Sequence, residues 1–87
     1  MSQGEPLSFP CDYPLKIVGR PQAGFRARVH AIVLRHAPDL DPERLSERTS
    51  ANGNFLSISY VLRAHSREQI EALVAELRAC DGVLMLL

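Results

Sequence analysis

The most regular alternation of apolar and polar positions lies in residues 54–64. One face of this stretch carries Leu56, Ile58, Tyr60 and Leu62, and the other carries Phe55, Ser57, Ser59, Val61 and Arg63. A two-residue period with β-branched and aromatic side chains is typical of a strand that is buried on one side. We therefore predict a central strand whose Leu56 face is covered by helices.

Three further stretches predict the other strands of a sheet. Residues 13–19 alternate, and Pro14 is tolerated because the first residue of a strand can forgo a ladder hydrogen bond. Residues 43–49 suit either a weak helix or a polar strand, and the turn signal Asn52-Gly53 favours a strand that forms a hairpin with the central one. A strand with so many charged residues is expected at a sheet edge, where charge discourages edge-to-edge aggregation. Residues 83–87 predict a last strand that is apolar on both faces.

Two stretches show the 3.6-residue period of amphipathic helices. The first, residues 25–36, ends before Pro38 and has an apolar stripe of Phe25, Val29, Ile32, Val33 and His36. Its remaining surface is basic, with Arg26, Arg28, His30 and Arg35. The second begins at a Ser66-x-x-Gln69 capping box, ends at Asp81-Gly82 and has an acidic outer surface. Helix packing therefore predicts ion pairs between Arg26, Arg28 or Arg35 and Glu68, Glu71 or Glu76.

The order strand, helix, strand, strand, helix, strand predicts a fold of the α+β class. It fits a ferredoxin-like βαββαβ two-layer sandwich, with a four-stranded antiparallel sheet and both helices on one face. In that arrangement the central strand lies between the charged edge strand and the first strand, and the last strand forms the opposite edge. We predict a flexible N-terminal arm over residues 1–12 and a single domain over residues 13–87.

Length and charge narrow the classes of function. A chain of 87 residues has room for one hydrophobic core. Its ten basic and ten acidic residues cancel, which disfavours a nucleic-acid partner because phosphate contacts need a basic excess. No apolar run is long enough to span a membrane, and the N-terminus lacks the features of a secretory signal. We therefore expect a cytoplasmic protein.

The candidate chemistry of the sequence is sparse. Cys11 and Cys80 are far apart in the chain and lack metal-ligand or redox spacing. His30 and His36 are not at the i, i+4 spacing of a helical metal pair, and His65 stands alone. The sequence contains no nucleophile-elbow, phosphate-loop or paired-carboxylate motif. We expect no cofactor, no metal and no catalytic residues, and therefore a non-enzymatic protein.

The sheet face that points away from the helices is the more informative surface. The last strand adds either Leu84 and Leu86, or Val83, Met85 and Leu87, to this face. An uncovered apolar sheet face usually marks an interface, so we expect a protein partner or self-association there. An RNA-recognition module stacks bases on several aromatic residues of this face, and here only Phe55 is present. The candidate interface residues are Val18, Phe55, Ser57, Ser59 and Val61.

The competing hypothesis is a nucleic-acid-binding module that uses the basic first helix. Its candidate residues are Arg26, Arg28, His30 and Arg35.

The order of several short segments is similar to a known family. These segments are Phe9-Pro10, residues 13–19, His36-Ala37-Pro38, residues 53–59, residues 68–71 with Leu73 and Leu77, and Val83 with Met85 and the terminal leucines. Over residues 8–87 they resemble the small bacterial YbeD-like proteins of unknown function. The resemblance implies an ACT-like, ferredoxin-like fold, similar to domains that bind amino acids and regulate metabolic enzymes. It also implies a regulatory role linked to lipoate metabolism.

The resemblance implies a small-ligand site in the loop after the first strand. Its candidate residues in this chain are Arg20, Gln22 and Gly24. An amino-acid ligand would lack the carboxylate that usually meets its ammonium group, because no acidic residue stands in this loop. Arg20 and the N-terminus of the following helix instead favour an anionic ligand. The alternative is an ordinary strand-to-helix turn.

Overall fold

The sheet and the two helices form in the predicted order. The computed structural model describes residues 8–87. Its elements are β1 (Cys11–Gly19), α1 (Phe25–His36), a 3-10 helix (Pro42–Arg44), β2 (Leu45–Thr49), β3 (Leu56–Ala64), α2 (Arg67–Arg78) and β4 (Val83–Leu86). The strands lie in the order β2-β3-β1-β4, and every neighbouring pair is antiparallel. The predicted ferredoxin-like α+β fold is therefore confirmed.

The first strand is longer than its apolar pattern indicated. β1 begins at Cys11 rather than at residue 13, because Cys11 and Asp12 continue the pairing with Ala64 and Arg63 of β3. Pro14 therefore lies inside the strand and not at its start. On the other side of β1, the described pairing with the β4 segment extends no further than the hydrogen bonds between Lys16 and Leu87. The N–H that proline lacks consequently removes no bond from that ladder. Residues 1–7 of the predicted arm lie outside the described residues.

The hairpin between β2 and β3 has a longer loop than predicted. The ambiguous segment 43–49 starts as the 3-10 helix, capped by the Asp41 side chain, and continues as strand β2. The amide of Ser50 donates to the carbonyl of Phe55, and the Ser50 hydroxyl accepts from the Phe55 amide. The Ser50 carbonyl accepts from the Gly53 amide and not from Phe55, so the ladder is left incomplete there and β3 begins at Leu56 and not at residue 54. Gly53 adopts a positive φ of 76° in this loop, a conformation that favours glycine.

The core lies between the sheet and the helices. Leu56, Ile58, Tyr60 and Leu62 are each no more than 4% exposed, as their alternation predicted. They pack in one cluster with Leu15 and Ile17 of β1, with Phe25, Val29, Ile32 and Val33 of α1, and with Leu73 and Leu77 of α2. Both helices therefore cover the same face of the sheet, and the burial of this cluster is the main source of stability.

Hydrogen bonds at the start of α2 tie the two helices together. The Ser66 hydroxyl accepts from the Gln69 amide at 3.1 Å, as the capping box predicted. The Gln69 side chain, however, accepts from the amide of His65 rather than from that of Ser66. Its Nε2 donates to the carbonyl of His36 at the end of α1. Gln69 thus joins the end of α1 to the start of α2.

Across residues 8–87, neither helix has the length and apolar character needed to cross a membrane.

Candidate functional site

The open face of the sheet is the side on which residues 8–87 place no helix. Strand pairing places its side chains in rows across the sheet. One row contains Arg48, Ser57, Val18 and Met85, and the next contains Ser46, Ser59, Lys16 and Leu87. Four of the five predicted interface residues, Val18, Ser57, Ser59 and Val61, therefore share this face. Phe55 stands beside it in the hairpin loop, 43% exposed.

The last strand supplies the most exposed apolar side chains of the open face. Met85 pairs with Val18, and Leu87 pairs with Lys16 through two backbone hydrogen bonds. Met85 is 51% exposed and Leu87 is 65% exposed. A register shift beside Gly19 places Val83 against the core instead. Of the two sets of apolar residues that the sequence offered for the open face, the structure thus places Met85 and Leu87 there.

A shallow depression of about 310 Å³ lies in the open face. Pro14, Val61 and Leu87 give it apolar walls, and Lys16 and Ser59 stand at its side. A volume of this size is at the lower end of the range for ligand pockets. It is suited to receive a side chain of a partner rather than a whole cofactor.

An ionic cluster occupies one end of the open face. Asp12 accepts hydrogen bonds from Arg44 at 3.0 Å and from Arg63 at 3.4 Å. The hydrogen bond from Arg44 is the main cause that lowers the pKa of the Asp12 carboxyl below its usual value, and Arg63 adds to the effect. All three side chains are about half exposed, so the cluster orders the strand ends without burying charge. The sequence pattern did not indicate this cluster.

The predicted ligand loop borders a larger cavity of about 470 Å³. Gln22 and Gly24 line it, together with Arg26 and His30 of α1. Arg20 is exposed and does not line it, so only two of the three candidate residues come together there. Gly24 precedes α1 with a φ of 81°, and no side chain of residues 8–87 caps the helix N-terminus. The Gln22 amide nitrogen lies 3.5 Å from a carboxylate oxygen of Asp81.

Tyr60 and Glu47 support the wall of this cavity from the sheet. The phenol oxygen of Tyr60 lies 3.4 Å from Nδ1 of His30, and the two rings are stacked with centroids 6.2 Å apart. Burial, assisted by the negative charge of Glu47, raises the pKa of Tyr60 to about 12. Glu47 also accepts a hydrogen bond of 2.6 Å from Arg26, which holds the guanidinium beside the cavity. Tyr60 is therefore a neutral structural support at physiological pH.

The side chains of the basic helix are engaged within the molecule. Arg26 pairs with Glu47, and Arg28 donates to the carbonyls of Ala23 and Asp81. Arg35 pairs with Glu76 of α2, as the packing of a basic helix on an acidic one predicted, and His36 also contacts Glu76. These contacts occupy groups that the nucleic-acid hypothesis would assign to phosphates.

The remaining candidate chemistry is dispersed. Cys11 and Cys80 are separate, half-buried free thiols. Within the described part of the chain, no group of three or more histidine, cysteine, aspartate and glutamate side chains is placed to hold a metal ion.

Relatives of known sequence cover almost the whole chain. Residues 5–87 match the family described as "Protein of unknown function (DUF493)". A UPF0250 protein of Ectopseudomonas mendocina is 45% identical over 82 residues, which cover 93% of this chain and 89% of that protein. A UPF0250 protein of Nitrosomonas europaea is 40% identical over 87 residues and is covered completely, as is this chain. The resemblance to YbeD-like proteins is thereby confirmed.

Solved structures show the same fold at low sequence identity. The solution structure of the ACT domain from the GTP pyrophosphokinase of Chlorobium tepidum has a TM-score of 0.67 and 14% identity, with 87% of this chain and 84% of that one covered. The C-terminal domain of the MgtC protein from Mycobacterium tuberculosis has a TM-score of 0.64 and 21% identity, with 93% and 88% covered. This chain therefore belongs to the DUF493 family, with its UPF0250 (YbeD-like) members, and has an ACT-like fold.

Proposed function

We propose that this chain is a non-enzymatic regulatory or adaptor domain that acts through protein–protein contacts on its open sheet face. The observation that carries the proposal is the exposure of apolar side chains on a face that no element of the described part of the chain covers. Val18 and Val61 are half-buried there, and Met85 and Leu87 are more than half exposed. Contiguous exposed apolar side chains favour association, because burying them against a partner releases their hydration water.

A small-ligand response at the loop before α1 is the second part of the proposal. The cavity lined by Gln22 and Gly24 supports it, because the cavity lies at the N-terminus of α1, where backbone N–H groups favour anions. The cavity and the open face lie on opposite sides of β3. A ligand that bound in the cavity and moved this strand would therefore also change the open face. The link to lipoate metabolism implied by the family resemblance makes enzymes of that metabolism the first partners to test.

The experiment compares the wild-type chain with variants on the two sides of the molecule. Val61→Asp and Phe55→Asp place a charge on or beside the open face, whereas Glu71→Lys changes an exposed position of α2 as a control. We expect the two open-face variants to lose partner capture, or self-association in sedimentation at micromolar concentration, and the control to keep it. Sedimentation is repeated with free amino acids and with inorganic phosphate. A strictly monomeric protein whose open-face variants capture the same partners would overturn the proposal.

A further inference from the structure

The open face concentrates positive charge in a chain that is neutral overall. Four basic side chains, Lys16, Arg44, Arg48 and Arg63, lie on this face or reach it from the preceding 3-10 helix. Among residues 8–87, the acidic side chain on this face is that of Asp12. The described side chains of the face therefore have an excess of three positive charges, although the ten basic and ten acidic residues of the whole chain cancel.

Two of these cations are available to a partner. Arg44 and Arg63 share the carboxylate of Asp12. Lys16 and Arg48 are exposed, and within residues 8–87 neither has a carboxylate at salt-bridge distance. The sheet register places Lys16 opposite Ser59 and Arg48 opposite Ser57. Lys16 and Arg48 thus lie on neighbouring rows of the sheet, with the small polar side chains of Ser57 and Ser59 between them.

Lys16 also stands beside the apolar depression of the open face. The walls of that depression are Pro14, Val61 and Leu87. An apolar side chain that entered it would lose contact with water, and a carboxylate close to it in the partner would meet the ammonium group of Lys16. The same strip of surface therefore combines an apolar anchor point with an unpaired cation, the combination that favours a specific orientation of a bound peptide.

We infer that the partner of the open face is a protein segment that combines large apolar side chains with aspartate or glutamate. This inference rests on the proposed function and adds the chemistry of the partner. An apolar side chain enters the depression between Val61 and Leu87, and carboxylates of the segment pair with Lys16 and Arg48.

Charge also distinguishes this partner from a second copy of the chain. Two copies joined symmetrically through their open faces would bring two positive surfaces together, which opposes their association. A single-stranded nucleic acid would match the positive charge of the open face, but the described residues of the face do not offer its bases the aromatic side chains that they stack on. Recognition of its bases uses aromatic side chains as stacking platforms. Tyr13 and Tyr60 pack with the core cluster on the other side of the sheet, and Phe55 lies only at the margin of the open face.

The test selects binding peptides from a displayed library of random short sequences on the immobilised full-length chain. We expect the selected peptides to be enriched in aspartate or glutamate beside leucine, isoleucine or phenylalanine. Synthetic copies should bind at least about tenfold more weakly to Val61→Asp, and to Leu87→Asp as a second variant at a more exposed position. The combined Lys16→Glu and Arg48→Glu substitutions should weaken binding about fivefold or more. Arg67→Glu, which reverses a charge at the start of α2, is the matched control and should leave binding unchanged.

A substitution with the opposite sign sharpens the test. Asp12→Asn removes the carboxylate that pairs with Arg44 and Arg63 on the open face, and so releases both guanidinium groups. We expect the acidic peptides to bind about 1.5- to 5-fold more tightly to this variant, the range for exposed charge pairs.

The outcomes separate this inference from the proposed function. If the peptides depend on Val61 and Leu87 but bind equally well with every acidic residue replaced by its amide, the inference fails and the proposed function stands. If no selected peptide responds to the open-face variants, both fail. If a single-stranded RNA oligonucleotide binds with the same dependence on Lys16 and Arg48 while no peptide does, the partner is a nucleic acid and the inference is overturned.

Discussion

The two faces of the sheet are built from the same strands but differ in what their side chains do. Along β3, the side chains that face the helices are at most 4% exposed, while Ser57, Ser59 and Val61 on the other side are half-buried. The core face buries apolar surface within the chain, which stabilises the fold. The open face leaves apolar surface available to another molecule. One strand thus has a face that supports stability and a face that we propose for recognition, because its side chains alternate.

The two sides also differ in how charge is balanced. On the helix side, Arg26 meets Glu47, and Arg35 meets Glu76. These cations are satisfied within the chain, and exposed pairs of this kind contribute only about 0–1 kcal/mol each to stability. On the open face, the positive charges of the described side chains exceed the negative charge of Asp12. Charge on the helix side therefore assists packing, whereas charge on the open face is directed outwards.

The largest expected difference between the faces is in stability. Ile58→Ala should lower the free energy of unfolding by about 2–5 kcal/mol, because it leaves a cavity in the core. Val61→Ala, on the other face of the same strand, should lower it by less than about 1 kcal/mol. Urea unfolding followed by circular dichroism measures both values. Equal losses would show that the open face is packed as tightly as the core.

A smaller effect is expected where Gly19 of β1 lies against Phe25 of α1. A Cβ atom at Gly19 would collide with the Phe25 ring and would lie 2.5 Å from the carbonyl oxygen of Gly82. Gly19→Ala should therefore lower the free energy of unfolding by about 1–3 kcal/mol, the usual range for overpacking. The double variant with Phe25→Leu should lose less than the sum of the two single variants, because the smaller side chain gives way. Strictly additive losses in urea unfolding would contradict this contact.

The smallest effect at neutral pH concerns Tyr60, since its ionisation appears only in alkaline solution. Its folded pKa of about 12 lies above the ordinary value of 10.0, so folding favours the neutral phenol. The resulting stabilisation is complete below about pH 10 and is lost as the pH rises through about 12.

Two measurements check the Tyr60 prediction. In a Tyr13→Phe background, the tyrosinate absorbance of Tyr60 should develop well above pH 10, and ionisation near pH 10 in the folded protein would disprove the prediction. Tyr60→Phe is the control, and its unfolding should lack this part of the alkaline dependence.

Most of the fold was predictable, because β1, β3 and both helices show their own periods in the sequence. The boundaries of α1 and the buried set on β3 matched their patterns. The errors lie at element ends, where hydrogen bonds rather than periodicity decide. Phe55 continues the alternation of β3 in the sequence. Its amide donates to the Ser50 hydroxyl, however, and not to the Ser50 carbonyl as the ladder would require, so Phe55 lies in the loop. Asp12 shows no strand pattern in the sequence and was predicted to lie in the N-terminal arm. In the structure, its pairing with Arg63 and its ion pairs extend β1 to include it.

The candidate site was predictable only in part. Alternation placed Val18, Ser57, Ser59 and Val61 on one side, and the resemblance to ACT-like proteins directed attention to the loop with Gln22 and Gly24. The positive charge of the open face was not predicted, because the net charge of the chain is zero and the basic residues of this face come from separate elements. The signal that could have indicated this positive charge is the presence of basic residues at strand positions that alternate with the core positions.

The sequence by itself determined which stretches form strands and helices and which side chains of each strand share a face, because backbone geometry fixes those periods locally. The tertiary structure decided the register in which the strands pair. That register brings Lys16, Arg48 and Leu87 onto one surface although they are far apart in the chain. Contacts of this kind depend on how the apolar faces pack together, and no local period in the sequence encodes them.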